Sequence, residues 1–205
     1  MFFCKHIEKL ASHIRSNKLE NELSFVVFDA AEEVEKNHWN EVLQDKNVFL
    51  DLNYLKIFES LSSKNFQSRY IIIYKHTMPF AIAYFQVIDF KAGAFGDLLD
   101  TKISQLKSKR AQLFENYIDS KKDEVIMRLL TCGNNVVSGE HAFLFKDELS
   151  KKEEFKIIED LIERLGSKEK LRGKVSAVLV KDFESPVLQK SKCFFNKEKY
   201  MAFSV

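Results

Sequence analysis

The segment TCGNNVVSGEH, at residues 131–141, holds residue types that can bind a polar ligand and move a proton. Its amide and hydroxyl side chains can hydrogen-bond a substrate, and a neighbouring carboxylate or imidazole can act as a general acid or base. The candidate ligand-binding residues are Asn134, Ser138 and Gly139, and the candidate catalytic residues are Glu140 and His141. A hairpin turn alone also explains the segment, because Asn and Gly accept the positive φ values that tight turns need.

Asp182 is a further candidate catalytic residue, because it follows the apolar run 175–180. Working groups of α/β proteins often lie at the carboxyl ends of strands, although Asp182 could equally cap the segment after it. The five histidines do not cluster and the three cysteines are far apart, so no metal site is predicted. Cys132 could act as a nucleophile, but a small buried thiol is the simpler interpretation.

The composition fits one domain of a globular protein and argues against several classes. Apolar residues make up 45% of the 205 residues, which is enough for a normal core. The net charge of +2, from 32 basic and 30 acidic residues, argues against a DNA-binding protein. No run approaches the roughly 20 apolar residues of a membrane span. The absence of a signal-peptide pattern and the odd cysteine count predict a reducing, cytoplasmic location.

The apolar pattern of the whole chain predicts the helices and strands that must position these candidate residues. Apolar residues at helical spacing, such as Phe3, Ile7, Leu10 and Ile14, predict helices over 2–16, 31–44, 51–61, 97–119, 154–165 and 185–191. Compact apolar runs predict strands at 23–28, 69–74, 80–90, 125–130, 141–145, 175–180 and 200–205. Asp51 is expected to cap the start of its helix, and Gly166 is expected to end the helix before it.

This order of elements predicts an α/β (α+β) fold. A mixed, mostly antiparallel sheet should be flanked by helices on both faces, because late β-α-β alternation follows an antiparallel hairpin. The predicted division of the chain is an N-terminal helix over residues 1–20 and a single domain over residues 21–205.

The predicted layout resembles that of the GNAT acyltransferases. Their fold has one strand, two helices, an antiparallel meander, a central helix, a strand, a last helix and a closing strand. The hairpin RYIIIYKHTMPFAIAYFQVIDF is similar to the GNAT segment in which a short turn precedes Pro-x-Ala/Gly-x-x. The end of the chain, SPVLQKSKCFFNKEKYMAFSV, is similar to the last helix, aromatic turn and closing strand. The resemblance implies a GNAT-like fold for residues 21–205.

A narrower resemblance is to bacterial proteins related to the Fem-like peptidoglycan-bridge aminoacyltransferases. Trp39, the segment FLDLNYLKIFES at 49–60, the YFQ of 84–86 and the CGN…SGEHAF of 132–143 occur in the same order there. The resemblance covers residues 22–205. Many of those proteins carry a second similar domain, so a second GNAT-like domain is an expected partner.

These resemblances imply N-acyl or aminoacyl transfer to a small-molecule or peptide amine. The implied donor is acetyl-CoA or another acyl-CoA, and tRNA remains open as the carrier of an aminoacyl donor. GNAT enzymes hold the CoA pyrophosphate on the backbone N–H groups of a glycine-rich loop, Gln/Arg-x-x-Gly-x-Gly/Ala, at the start of the central helix. That glycine-rich loop is absent here, because residues 145–155 (FKDELSKKEEF) contain no glycine, and Asp147 and Glu148 would repel a pyrophosphate. The alternative is a non-catalytic GNAT-like recognition or interaction domain that has lost this loop.

Overall fold

The apolar runs of the sequence form one sheet in the computed structural model. The structure describes residues 17–19, 22–44, 46–61, 65–91, 126–137, 142–172 and 175–180. The strands are β1 (Asn17–Lys18), β2 (Leu23–Phe28), β3 (Phe66–Lys75), β4 (Met78–Lys91), β5 (Ile126–Cys132), β6 (Phe143–Phe145) and β7 (Ala177–Val180). The α-helices are α1 (Lys36–Leu43), α2 (Leu52–Leu61) and α3 (Lys151–Arg172), and short 3-10 helices cover Ala31–Glu33 and Val48–Leu50.

The sheet is mostly antiparallel, with strand order β1-β2-β3-β4-β5-β7. The far edge of β4 carries two strands: β5 pairs with residues 85–91, and β6 pairs with residues 81–83. These two strands therefore share one strand position, which is interrupted between Cys132 and Phe143. Among the described strands, β7 alone runs parallel to its neighbour, β5, and α3 connects β6 to β7.

Helices cover both faces of the sheet. Side chains alternate along β3, so that Tyr70 and Ile72 pack with α1 and α2 while Ile71 and Ile73 pack with α3. Because both faces are buried, β3 and β4 appear in the sequence as nearly continuous apolar runs. The predicted α+β class, with a mostly antiparallel sheet between helices, is confirmed at this level.

The first helical layer is fixed by two local interactions. Trp39 of α1 is fully buried, and its Nε1 donates to the carbonyl of Leu50 at 2.8 Å. Asp51 Oδ1 accepts from the backbone N–H groups of Asn53 and Tyr54 at 2.9 and 3.0 Å. The predicted cap of α2 is therefore confirmed, since these N–H groups have no partner inside the helix.

The single helix predicted over 31–44 is wrong in its first part. Ala31–Glu33 forms a 3-10 helix, and extended backbone at Val34 and Glu35 separates it from α1. Ala31 and Val34 are both buried in the core under α1 and α2. Because Ala31 and Val34 both reach the core in this conformation, the segment packs on the sheet without forming one continuous helix.

The helix α3 is longer than the sequence predicts. Gly166 was expected to end a helix over 154–165, but α3 continues to Arg172 and Gly166 lies inside it. The cap prediction is wrong because a contact beyond the glycine holds the helix: Glu169 is buried and paired with Arg69 of β3. One interior glycine costs only about 1 kcal/mol, so a tertiary contact of this kind can override it.

The pair formed by Arg69 and Glu169 anchors the second half of α3 to the sheet. Arg69 Nε lies 2.8 Å from Glu169 Oε1, and Nη2 lies 3.2 Å from Oε2. The side chains are 3% and 4% exposed, and the guanidinium also donates to the carbonyl of Ser68 and to Oε1 of Gln67. A buried charge of this kind is tolerated because it is paired with a carboxylate and makes four hydrogen bonds.

Four predicted elements lie outside the described residues: the helices over 2–16, 97–119 and 185–191, and the strand at 200–205. The division at residue 20 stays a prediction. In the part of the chain that the structure describes, no helix is both long and apolar enough to cross a membrane.

Replacing Gly166 by alanine is expected to stabilise the protein by about 0.5–1 kcal/mol, because alanine has the higher helix propensity. A Cβ at this position would meet nothing within 4 Å. Urea denaturation measures the change. Gly133→Ala is the matched control and should destabilise, since Gly133 has φ 118°, which alanine adopts only under strain. A loss of stability in Gly166→Ala would contradict the helical assignment.

Replacing Glu169 by glutamine is expected to destabilise the protein by about 3 kcal/mol, because it removes the carboxylate paired with the buried Arg69 and leaves only the more distant Asp29 Oδ1, 3.6 Å from Nε. Equilibrium unfolding in urea measures this loss. The control is Lys56→Gln, which breaks a surface pair with Glu32 whose side chains are 58% and 74% exposed. The control should change stability little, since water screens the pair. Equal effects of the two changes would argue that Arg69 is solvated rather than buried.

Candidate functional site

Buried polar side chains form a row across the sheet on the face covered by α1 and α2. Strand register places Ser68 of β3 beside Gln86 of β4, and Gln86 beside Thr131 of β5. All three are buried within otherwise apolar strands, and buried polar groups need hydrogen-bond partners. We refer to Ser68, Tyr84, Gln86, Thr131 and Asn135 as the polar row.

Gln86 joins the polar row through both ends of its side-chain amide. Its Nε2 donates to the hydroxyl of Tyr84 at 3.1 Å, and its Oε1 accepts from the backbone N–H and the Nδ2 of Asn135 at 2.8 and 2.9 Å. Asn135 Oδ1 accepts from the hydroxyl of Thr131 at 3.1 Å, and the hydroxyls of Tyr84 and Ser68 lie 3.0 Å apart. The row is therefore a continuous hydrogen-bonded chain from β3 to the loop after β5.

The backbone of Tyr84 holds both ends of the loop that separates β5 from β6. Its carbonyl accepts from the N–H of Gly133 at 3.1 Å, and its N–H donates to the carbonyl of Ala142 at 2.8 Å. The loop therefore leaves and re-enters the sheet beside a single residue of β4. These backbone bonds, together with the two hydrogen bonds that Asn135 donates to Gln86, fix residues 133–135 at the start of the candidate segment 131–141.

Glu59 and Tyr70 extend the polar contacts toward α2. The hydroxyl of Tyr70 donates to Glu59 Oε2 at 3.2 Å, and the same oxygen accepts from the N–H of Ala31 at 3.1 Å. The rings of Tyr70 and Tyr84 lie 5.3 Å apart, so this pair is in contact with the polar row. Glu59 is half-buried, and it gives this face a carboxylate within reach of solvent.

Burial keeps the tyrosine hydroxyls of this face protonated. Removal from water raises the pKa of Tyr70, and the neighbouring Tyr84 and Glu59 raise it further. Burial likewise raises the pKa of Tyr84. Such hydroxyls donate hydrogen bonds near neutral pH but do not act there as bases. Proton abstraction at this site therefore requires a carboxylate or an imidazole.

Most of the polar row is closed to solvent. Tyr84 and Gln86 are each 1% exposed, and Thr131 is fully buried. Asn135 at one end of the row and Glu59 beside the other are half-buried. Only these ends of the row are therefore open to solvent, and the buried middle of the row holds the loop after β5 in place.

One candidate predicted from the sequence, Asn134, lies in the described part of the chain. It is half-buried, and its Oδ1 accepts from the N–H of Val136 at 2.9 Å. Gly133 before it has φ 118°, so turn geometry accounts for this half of the segment. The other candidates lie outside the described residues, and their roles stay predictions: Ser138, Gly139, Glu140, His141 and Asp182.

Strand register nevertheless brings the starts of the two candidate segments to one edge of the sheet. Cys132, the last residue of β5, is paired with Val180, the last residue of the parallel strand β7. Asn134 follows the first of these strand ends by two residues, and Asp182 follows the second by two residues. The carboxyl ends of parallel strands are a frequent location of binding sites. The sequence identified the two strand ends but not the pairing of Cys132 with Val180.

The structure agrees with the simpler interpretation of Cys132, which is a small buried thiol. It is 3% exposed, and burial raises the pKa of its thiol to about 12. The thiolate is the reactive form of cysteine, so this thiol is unreactive near neutral pH.

Sequence reasoning missed Gln86 as a positioning residue, although a signal was present. Gln86 is a polar residue inside the apolar run FAIAYFQVIDF, and a buried amide has to find partners. The strand register that places Ser68 and Thr131 on either side of it could not be derived from the sequence.

The N-terminus of α3 is closed by its own side chains. Glu153 Oε2 accepts from the hydroxyl and the N–H of Ser150 at 2.6 and 3.1 Å, and the N–H of Glu153 donates to Ser150 Oγ at 3.3 Å. This is a capping box. The hydrogen bonds from Ser150 lower the pKa of Glu153, so its carboxylate stays charged at the helix end.

This helix end does not fit the pyrophosphate of an acyl-CoA. The charge of Glu153 already lies at the positive end of the helix dipole, and the N–H of Glu153 is engaged by Ser150 in the capping box. Asp147 and Glu148 are exposed on the segment before it and add repulsion. The mismatch expected from the sequence is therefore reinforced by the geometry.

Among the residues that the structure describes, no group of three or more His, Cys, Asp or Glu side chains could hold a metal ion. No protein-family model, curated protein or solved structure matches the chain. Its function is therefore argued from its own contacts.

Replacing Gln86 by methionine is expected to destabilise the protein by about 1–3 kcal/mol, because it leaves partners of a buried amide unsatisfied. Amide hydrogen exchange gives the specific readout: the N–H of Asn135, bonded to Gln86 Oε1, should lose protection. Gln86→Glu is the matched control, since it keeps an acceptor oxygen for that N–H. Unchanged exchange at Asn135 in the methionine variant would show that Gln86 does not hold the loop.

Proposed function

We propose that this protein is a GNAT-type N-acyltransferase that transfers an acyl or aminoacyl group to an amine, and that the described domain supplies the acceptor side. The observation that carries this proposal is the interrupted strand position between β5 and β6. The interruption leaves a loop of ligand-binding residue types at the carboxyl ends of the parallel pair β5 and β7, where the chain continues toward Asp182.

The order of elements supports the GNAT-like assignment. Strand β2 is followed by the two helices α1 and α2, the antiparallel meander of β3, β4 and β5, the helix α3, and a strand parallel to β5. This order agrees with the layout that the sequence resemblance implies, except that β1 and β6 are additional strands and residues 92–125, between β4 and β5, lie outside the described residues.

The chemistry of the proposed reaction sets requirements that the candidate residues meet. An amine attacks a carbonyl carbon through its lone pair, so a base must hold or remove the ammonium proton. Glu140, His141 and Asp182 are the candidate bases, and Glu59 is a further carboxylate on the face covered by α1 and α2. The carbonyl oxygen becomes negatively charged as the amine adds, and hydrogen-bond donors stabilise that charge. Collapse of this adduct re-forms the carbonyl and breaks the bond to the leaving group, the CoA sulfur or the tRNA ribose oxygen, which takes up the proton lost by the amine. Asn134, Ser138 and the N–H of Gly139 are the candidate donors.

The capping box at the N-terminus of α3 restricts which acyl donor this domain can bind. An acyl-CoA anchored by its pyrophosphate at this helix would meet the carboxylate of Glu153. A donor that is not anchored through a pyrophosphate at this helix end, such as an aminoacyl-tRNA, does not require this site. A second GNAT-like domain could instead bind the donor, with this domain holding the acceptor amine.

A second candidate function is a recognition domain without catalysis. The observations that favour it are the capped N-terminus of α3 and the closed middle of the polar row, where Tyr84 and Gln86 are 1% exposed. In that case the loop after β5 binds a partner or substrate, and no acyl group is transferred.

Acyl transfer by the purified chain separates these functions. The chain is incubated with a panel of primary amines and either acetyl-CoA or aminoacyl-tRNA, and mass spectrometry detects the acylated amine. Transfer is expected from the aminoacyl ester, and the loss of a general base (His141→Ala, Glu140→Gln or Asp182→Asn) is expected to reduce the rate roughly 100-fold. Asp147→Asn is the control, because this exposed carboxylate lies outside the proposed site.

Thermal unfolding completes the test. Acetyl-CoA should leave the unfolding midpoint unchanged, whereas a ligand specific to the native state raises it. A dose-dependent rise with acetyl-CoA would contradict the closed donor site. No transfer from either donor, together with a midpoint raised by an amine or peptide, would favour the recognition domain.

A further inference from the structure

An apolar groove of about 200 Å³ lies between one edge of the sheet and the first half of α3. Its floor is apolar and its rim is charged. The floor is formed by Leu19, Leu23, Phe80, Leu149 and Ile157, and the rim by Lys75, Glu153, Lys156 and Asp160. This groove is separate from the polar row, which lies on the opposite face of the sheet.

The groove lies directly beside the point where the described chain begins. Asn17 pairs with Phe25 at the sheet edge, and the N–H of Leu19 donates to the carbonyl of Leu23 at 2.7 Å to close the turn from β1 to β2. Two strand residues, roughly 7 Å, separate Asn17 from Leu19 in the groove floor. The segment before Asn17 is therefore attached to the described chain close to the groove.

The sequence of residues 2–16 has the pattern that such a groove accepts. Four of its five large apolar residues recur at helical spacing and fall on one face: Phe3, Ile7, Leu10 and Ile14. Lys5 and Lys9 fall on the opposite face of the same predicted helix. Fifteen helical residues span about 22 Å, which is shorter than the roughly 33 Å of the 22-residue helix α3. An apolar stripe of this length needs a partner surface in water.

We propose that residues 2–16 dock in this groove as an amphipathic helix packed beside α3. The segment is joined to β1, so docking is intramolecular and is favoured by a high effective concentration. The apolar face then covers Leu149 and Ile157, which are half-buried in the described structure, while Lys5 and Lys9 remain in water. The inference does not depend on the proposed transferase function.

Leu10→Asp tests the predicted apolar contact in the full chain. A carboxylate in the docked face should lower the thermal unfolding midpoint by roughly 5 °C, because it removes a buried leucine and adds a charge. Ser12→Asp is the matched control: it introduces the same charge two residues away on the opposite helical face, and should leave the midpoint unchanged. Equal midpoints for the two variants overturn the proposal.

The location of the docked segment is tested with its own cysteine. Cys4 lies at the edge of the apolar stripe, so it should approach the rim of the groove. Under mild oxidation, Lys156→Cys or Lys75→Cys is expected to form an intramolecular disulfide with Cys4, which peptide mapping by mass spectrometry identifies. Lys56→Cys is the control, because it lies on α2, on the other face of the sheet.

Two outcomes of the disulfide experiment would contradict docking of residues 2–16 in the groove. Bridging at Lys56→Cys that equals or exceeds bridging at both rim positions overturns docking in the groove. Bridges formed only between two chains also overturn it, and would show that a second copy supplies the apolar face.

Discussion

The rest of the structure depends on the hydrogen-bonding requirement of one strand, β4. It has 14 residues, is buried on both faces along most of its length, and must satisfy its backbone groups on two edges. One edge is filled by β3. The other is filled by β5 and then by β6, with the backbone of Tyr84 bonded to Gly133 and Ala142 at the junction. The loop between β5 and β6 is located by this requirement, because its two ends have a single place at which to leave and rejoin the sheet.

This constraint explains why the polar groups of the α1 and α2 face lie where they do. Where β4 stops pairing with β5 and starts pairing with β6, side-chain hydrogen bonds must hold the backbone in place. Gln86 provides them by bonding Asn135 after β5 and Tyr84 within β4. Buried amides and hydroxyls are costly when unpaired, so a connected row favours one register over a slipped one. The same row gives the loop a fixed start, which a binding site requires.

The two halves of α3 are held on the sheet by different interactions, apolar packing in the first half and a buried ion pair in the second. The first half packs Phe155, Ile158 and Leu161 on the sheet and begins in a capping box that leaves little positive potential for an anion. The second half passes through Gly166 and ends near the buried pair of Arg69 and Glu169. A helix end satisfied by its own carboxylate stabilises the fold but is a poor phosphate site. The order of strands and helices therefore does not by itself determine whether this helix end binds a phosphate, since that depends on a few residues at the helix end.

The sequence by itself determined the strands that are buried on both faces, the cap of α2 by Asp51 and the presence of helices on both sides of the sheet, because these follow from local periodicity and side-chain chemistry. It also determined that the segment before α3 lacks the glycines of a pyrophosphate loop. The tertiary structure alone decided the register that aligns Ser68, Gln86 and Thr131, the interruption of one strand position, and the pairing of Cys132 with Val180. It also extended α3 past Gly166, where local propensity favoured an end. These features join residues far apart in the chain, and no short-range pattern specifies which strands meet or which distant charge a helix will reach.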